Sequence, residues 1–431
     1  MSADTIFALA SGSARAAIAV VRIGGPAAGL ALAALCGGTL PPPRRASLRR
    51  LRDPAGQTLD QAVIVWFPGP NTYTGEDCAE LHLHGGRAVI DGVALALAEA
   101  GLRPAEPGEF TRRAFLNNRM DLLEAEAIHD LVAAETEAQR RQALRQLDGA
   151  LGAIYQDWAD RLRGILAYQE ALIDFPDEDL PPEVEAQLLA TLRSVRVEIR
   201  SHLDDAGRGE KLREGLFFAI TGAPNVGKST LINALAERDV AIVSATPGTT
   251  RDALETRVVL GGVPVTLVDT AGLRETTDSI EAEGVRRARA RAENADLVMT
   301  VVEAGSDARI PGPPERHILV ANKADLGGAA TPGAVRISAK TGEGMVDLRN
   351  CLTSAARRMT ESQGAPPLTR ARHRAALLAA AGHLDDAEQA ELPELRGEDL
   401  RLAMRELGRI TGHVGVEDIL DTVFSKFCIG K

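Results

Sequence analysis

Aromatic residues are scarce in this chain, only 3% of 431 positions, so a surface that grips nucleic-acid bases by ring stacking is a poor first expectation. Any contact with nucleic acid is expected to run through Arg and Lys. A basic excess is missing too: the formal net charge is -11, which argues against a protein that coats nucleic acid without regard to sequence. Arg-rich stretches occur at residues 44–52, 140–145, 286–291 and 370–374, and they read as solvated helix faces. Cysteine is limited to Cys36, Cys78, Cys351 and Cys428, scattered without metal-ligand spacing. Neither a zinc site nor a disulfide framework is indicated, and a reducing compartment fits. No apolar run reaches the ~20 residues needed to span a bilayer, and the start of the chain, with Asp4, has no basic leader. The expectation is a cytoplasmic protein with no membrane partner.

Hydrophobic residues make up 45% and charged residues 25%, the balance of a globular protein, and the length predicts two or three domains. The first hundred residues mix short β-like runs with turns: residues 16–23, 62–67 and 79–84 predict strands, and the whole predicts an α+β domain. From Asp121 long Ala, Leu, Glu and Arg stretches with helical period take over, through residues 155–172 and 182–203. At Gly215 the texture becomes α/β and stays so until about Ala356, and helical periodicity returns over residues 368–427. Helices on both sides of an α/β block predict an inserted domain within one discontinuous helical domain.

The strongest motif is Gly222-Ala-Pro-Asn-Val-Gly-Lys228-Ser229, between the apolar run 216–220 and a helical segment beginning at Thr230. That is the strand, loop and helix of a P-loop, in which backbone N–H groups face the β-phosphate. Lys228 is expected to bridge the β- and γ-phosphates and the Ser229 hydroxyl to ligate Mg²⁺. Asn225, Val226, Gly227 and Thr230 complete the phosphate-binding set. Asp269-Thr270-Ala271-Gly272 follows an apolar strand, where a carboxylate can hold a Mg²⁺ water and a glycine amide can sense the γ-phosphate. Asn322-Lys323-Ala-Asp325 follows another, and its aspartate can accept two hydrogen bonds from guanine, a donor pair that adenine lacks. Ser338-Ala339-Lys340 suits the loop that closes over the base. Together these predict guanine nucleotide binding by a Ras-like domain.

Where Ras-like enzymes carry a water-orienting glutamine, this chain has Leu273. Either the domain is a slow switch or the polar group comes from elsewhere, and Glu275, Asp278, Glu281 and Glu283 are candidates, with a plain surface glutamate the alternative for Glu281. His82 and His84 share a strand face, and ordinary packing or hydrogen bonding is preferred over a metal pair for want of a third ligand. Cys428 reads as a small buried hydrophobe, with a reactive thiol as the alternative.

Asn225 in the P-loop, followed by Ser244-Ala245-Thr246-Pro247-Gly248-Thr249-Thr250-Arg-Asp252, resembles the potassium-activated GTPases, and specifically the MnmE (TrmE) family of tRNA modification GTPases. Tyr73-Thr-Gly-Glu-Asp77, Leu81-His-Leu-His-Gly-Gly86, Pro107-Gly-Glu-Phe-Thr-Arg-Arg-Ala-Phe-Leu-Asn117, Ile173-Asp-Phe-Pro176 and the terminal Phe427-Cys-Ile-Gly-Lys431 resemble the same family outside the GTPase block. The resemblance implies K⁺ bound by Asn225, Ser244, Thr246 and Thr249, in the role of an arginine finger. It also implies Mg²⁺ on Ser229 and Thr250, and Glu281 orienting the attacking water. For the N-terminal domain it implies dimerisation and a 5-formyl- or 5,10-methylene-tetrahydrofolate contacted by Arg22, Glu80, Arg119 and Lys431, surface ion pairing being the alternative for those residues. The family more often has lysine where Arg119 stands.

The implied organisation is an α+β folate-binding and dimerisation domain at residues 1–118, a discontinuous all-helical domain at 119–213 and 358–431, and an inserted Ras-like α/β P-loop GTPase domain at 214–357. The implied assembly is a homodimer that joins the FAD-dependent MnmG (GidA) in a heterotetramer and acts on the wobble uridine of certain tRNAs. A ribosome-assembly GTPase is the competing reading; it predicts an appended RNA-binding module, and no GxxG loop in a convincing context is found.

Overall fold

The computed structural model describes residues 4–12, 16–174, 182–238, 255–269, 294–310, 312–361, 365–415 and 417–430. The chain divides into two compact units. One comprises Met1–His129, Leu147–Ala159 and Met404–Lys431, and the other Asp130–Gln146 and Asp160–Ala403.

The first unit is built on a six-stranded sheet of β1 (Ile6–Leu9), β2 (Ile18–Gly24), β3 (Ser47–Arg52), β4 (Thr58–Phe67), β5 (Cys78–His84) and β6 (Arg103–Pro104), in the order β3-β4-β5-β2-β1-β6. All pairings are antiparallel except β1 with β6. Alternation along β4 and β5 turns Ala62, Ile64, Trp66, Ala79, Leu81 and Leu83 inward, where the helices Ala28–Leu35 and Arg87–Glu99 cover them with Leu32, Val93 and Leu97. The Arg-rich run expected to be a helix face is instead the edge strand β3 at its positions 47–52. Leu51 is fully buried, and the arginines line the edge that another chain's strand would otherwise pair with. A smaller cluster joins Leu122 and Ala125 to Leu420, Phe424 and Phe427.

The second unit carries β7 (Leu216–Thr221), β8 (Glu255–Leu260), β9 (Val263–Asp269), β10 (Leu297–Glu303), β11 (His317–Asn322) and β12 (Val335–Arg336), in the order β12-β11-β10-β7-β9-β8. Only β8 runs antiparallel, as the hairpin partner of β9. The strands are almost continuously apolar because the helices Lys228–Arg238 and Met345–Thr360 bury them, Leu231, Leu235, Leu348 and Leu352 closing the core. Helices of this unit precede and follow the sheet along the chain. Pro182–Leu203 has acidic Glu183 and Glu185 in its first turn and Arg200 and His202 in its last, each suited to the dipole end it occupies. Its Leu192, Val195 and Ile199 form a buried stripe, and Arg193, Arg196 and Arg200 reach Asp385 and Glu388 on the helix Ala371–Gln389.

Candidate active site

The loop between β7 and the helix Lys228–Arg238 is the expected P-loop. Gly222 has φ +144, and a Cβ there would lie 2.2 Å from the Val301 carbonyl of the neighbouring β10, so no side chain fits. Asn225 is exposed and left-handed at φ 64, a conformation that asparagine tolerates better than most residues other than glycine, and a carboxamide oxygen is a donor that fits K⁺. The buried Lys228 ammonium donates to the carbonyls of Gly222 at 3.1 Å and Ala223 at 2.9 Å, which holds it over the loop.

At the first turn of the helix the Ser229 hydroxyl donates to Asp269 Oδ2 at 3.3 Å, where Asp269 ends β9. A hydroxyl beside a carboxylate is a hard-oxygen donor set, and it fits Mg²⁺. Thr230 follows on the exposed side of the helix.

Two more loops meet the P-loop through one buried side chain. Asn322, at the end of β11, donates from Nδ2 to the Val226 carbonyl at 2.9 Å and accepts at Oδ1 from the Ala339 N–H at 3.0 Å. Next to it Lys323 is left-handed at φ 64 and ion-paired to Glu303. Asp325 is exposed, and its Oδ1 accepts from the fully buried Ser338 hydroxyl at 2.6 Å, leaving Oδ2 free to accept from a base. Lys340 is exposed beside them. The fold thus brings together Asn225, Val226, Gly227, Lys228, Ser229, Asp269, Asn322, Asp325, Ser338 and Ala339. Ser244, Ala245, Thr246, Pro247, Gly248, Thr249, Thr250, Thr270, Ala271, Gly272, Glu281 and Lys431 lie outside the described residues.

In the first unit Arg22 on β2 stands opposite Glu80 on β5 in register and donates to its Oε1 from Nη2 at 3.0 Å and Nε at 3.3 Å. The guanidinium also lies 5.5 Å from the Tyr73 ring centre and 5.7 Å from that of Phe110. Arg119 is exposed and runs alongside Gly75, so Arg22 and Arg119 border the same Tyr73-Thr74-Gly75 loop. A half-exposed carboxylate, a flat aromatic and an exposed guanidinium fit a heterocycle with N–H donors and an anionic tail. His82 Nε2 lies 3.6 Å from Glu80 Oε2, and His84 Nδ1 lies 2.7 Å from Asp60 Oδ1. His84 thus takes the ordinary hydrogen-bonding role expected of it, whereas His82 Nε2 is buried without a hydrogen-bond partner among the described residues, Glu80 lying just beyond bonding distance.

Two sequence motifs meet at this loop. Tyr73 pairs its hydroxyl with Thr111 Oγ1 at 2.9 Å, Asn117 donates to the Thr74 carbonyl at 2.7 Å, and Arg113 reaches Glu76 at 3.3 Å. Behind them Arg113 also binds Glu109 at 2.9 Å and Asp4 at 2.8 Å, and Arg103 binds Glu109 at 2.6 Å. Sequence reasoning did not find this network; its charges are spread over a hundred positions, and only the motif membership of Glu76, Glu109 and Arg113 hints at it. The tail segment docks here as well: the Gly108 N–H approaches the Cys428 carbonyl at 3.4 Å and Pro107 bridges Ile429. Cys428 itself is exposed, which corrects the expectation of a buried hydrophobe: the backbone of the tail, not its thiol, makes the contact.

A parallel sheet with a glycine-rich phosphate loop, a carboxylate at the end of the adjacent strand and an Asn-Lys-x-Asp corner defines a P-loop GTPase. The family described as GTP-binding protein TrmE N-terminus matches residues 5–119, and the MnmE helical domain family matches residues 122–428. The tRNA modification GTPase MnmE of Granulibacter bethesdensis is 58% identical over 441 residues, covering 100% of both chains. That of Gluconacetobacter diazotrophicus is 62% identical over 432 residues, 99% of this chain and 98% of the other. Among solved structures, the G domain of the T. maritima FeoB iron transporter is 25% identical, covers 33% of this chain and 98% of that one, and has a TM-score of 0.21. The chain belongs to the MnmE family of tRNA modification GTPases.

Proposed function

We propose that this chain is a potassium-activated GTP hydrolase that works with an FAD-dependent MnmG (GidA) partner to place an aminomethyl or carboxymethylaminomethyl group on C5 of wobble uridine in certain tRNAs. The observation that supports the reading best is the meeting of three loops on Asn322, which ties a lysine-bearing phosphate loop to an aspartate able to read guanine. Lys228 neutralises β- and γ-phosphate charge, and the backbone N–H groups of Val226, Gly227, Lys228 and Ser229 cradle the β-phosphate. Asp325 accepts from the guanine ring N–H and amine, with Ser338 fixing its other oxygen and Lys323, Ala339 and Lys340 enclosing the base. Ser229 and Thr250 hold Mg²⁺, which when bound offsets charge on the β–γ bridge. Asn225, Ser244, Thr246 and Thr249 hold K⁺, a fixed positive charge beside the departing γ-phosphoryl.

With Leu273 unable to orient water, that role falls to Glu281. Ser244, Thr246, Thr249 and Thr250 thus supply the ion ligands, and the Gly272 amide senses the γ-phosphate. In the N-terminal domain, residues 1–118, Glu80 accepts from the pterin edge of a tetrahydrofolate while Arg22, Arg119 and Lys431 serve its one-carbon and glutamate ends. The helical parts, 119–213 and 358–431, flank the GTPase domain at 214–357, and the protein acts as a cytoplasmic homodimer.

The test is GTP turnover at fixed Mg²⁺, in K⁺ against Na⁺, at several protein concentrations. K⁺ stimulation with specific activity rising with concentration is expected. Equal rates in the two salts at every concentration overturn the reading.

A further inference from the structure

The helices Ala371–Gln389 and Pro393–Thr411 of this chain carry a group of metal-ligating side chains remote in sequence from every motif above. His383 and Asp386 stand three residues apart on the first helix, a spacing that places both on one face, and Asp399 comes from the second. Each offers one ligand atom, and the three atoms lie within 4.8 Å of one another. Metal–ligand bonds of about 2.1 Å separate adjacent ligand atoms by roughly 3–4 Å, so modest side-chain rotations bring all three onto one ion.

The three side chains differ from their acidic neighbours in having no ion-pair partner among the described residues. On the same helix Asp385 and Glu388 are neutralised by Arg193, Arg196 and Arg200. Among the described residues, by contrast, no Lys or Arg pairs with Asp386 or Asp399, and the His383 ring makes no hydrogen bond. Two carboxylates converging on an imidazole, with no Lys or Arg paired to them among the described residues, are a donor set suited to a cation.

We propose that His383, Asp386 and Asp399 bind a divalent transition ion of the Zn²⁺ or Co²⁺ class. The imidazole favours such an ion over Mg²⁺ or Ca²⁺, which prefer oxygen donors throughout. Asp386 is exposed, so solvent can complete the coordination, and the ion staples the two helices across the short connection between them. This inference goes beyond GTP hydrolysis and stands independently of it.

The experiment uses the full chain, free of any affinity tag and stripped with EDTA, titrated with Co²⁺ in millimolar Mg²⁺ and followed by visible d–d absorption. One Co²⁺ per chain, displaced by Zn²⁺, is the expected result. His383→Ala and Asp399→Asn are expected to weaken binding at least ~10-fold, and so is Asp386→Asn, whose exposed side chain carries little folding risk. Zn²⁺ should raise the melting temperature of the unaltered chain but not of Asp386→Asn, whose metal-free melting should match it. Absence of Co²⁺ binding up to millimolar concentration, or equal binding by all three variants, overturns the proposal.

Discussion

The carboxamide of Asn322 donates to the carbonyl of Val226 at 2.9 Å, joining the end of β11 to the phosphate loop. Its oxygen takes the Ala339 N–H at 3.0 Å, so one buried side chain serves three loops. Asn322→Ala leaves a carbonyl and an N–H without their partner in a dry place, a cost of about 1–3 kcal/mol if neither finds water. The expected outcome is a guanine nucleotide affinity lower by roughly 10- to 100-fold, by that same cost, with secondary structure intact. Titration of a fluorescent GDP analogue measures it, and unchanged affinity would show that the three loops hold their places without the asparagine.

Gly227 makes the complementary case. Its φ is +95, and an added Cβ would lie 2.4 Å from Asn322 Nδ2. Gly227→Ala therefore meets both backbone strain and a clash with the side chain that joins the loops. Nucleotide affinity is expected to fall at least as far as in Asn322→Ala. Adding Asn322→Ala to Gly227→Ala should recover part of the loss, because the clash goes while the strain stays. A double variant that is worse by the full sum of the two single losses would mean that the two side chains do not meet.

Glu281 is assigned from sequence resemblance, and its kinetics decide the role. Glu281→Ala is expected to leave GTP affinity intact while lowering turnover at least ~10²-fold, since general-base or water-orienting groups contribute on that order. Single-turnover hydrolysis in K⁺ measures it; a rate equal to that of the unaltered chain removes the assignment.

The phosphate loop, the Asn-Lys-x-Asp corner and the strands that carry them are legible in sequence because their chemistry requires neighbouring residues in fixed order. Gly222 must clear Val301, and Lys228 must follow Gly227 into the helix. Residues 47–52 mislead for a physical reason: arginine suits a solvated helix face and a protected sheet edge equally well, and only the burial of Leu51 separates the two. The network of Asp4, Glu76, Arg103, Glu109 and Arg113 is illegible because it exists only once β1, β6 and the helix Glu109–Leu116 are assembled. His383 and Asp399 are hidden likewise, since they come from two helices and meet only when those helices pack.

Arg113 is the centre of that network, with its side chain only 5% exposed and carboxylates from Asp4, Glu76 and Glu109 around it. Arg113→Ala leaves the buried Glu76 without its counter-charge and Glu109 with Arg103 alone, a loss of about 3 kcal/mol. Arg113→Lys keeps the charge but cannot reach three carboxylates at once, and an intermediate loss is expected. Because Glu76 and Thr111 flank Tyr73, the unfolding measured by near-ultraviolet circular dichroism should shift with both variants. Equal stability of Arg113→Ala and the unaltered chain would show that the network is decorative.

The same network sets an acid limit on stability. Burial pushes the Glu109 carboxyl up, but hydrogen bonds from Arg103, the Glu106 N–H and Arg113 outweigh it, and the net effect holds Glu109 below the usual carboxylate range. A group with a lowered folded value contributes stability that is complete above its unfolded value, about 4.3 for glutamate, and is lost as the pH falls through the folded one. The melting temperature is therefore expected to be flat with respect to Glu109 above about pH 5 and to fall increasingly below about pH 4. Glu109→Gln should be less stable than the unaltered chain at neutral pH, because Arg103 and Arg113 lose their shared carboxylate, and the gap should narrow as the pH drops. Thermal melts of both proteins from pH 7 down to pH 3 test this, and a gap that widens on acidification would reverse the sign assigned to Glu109.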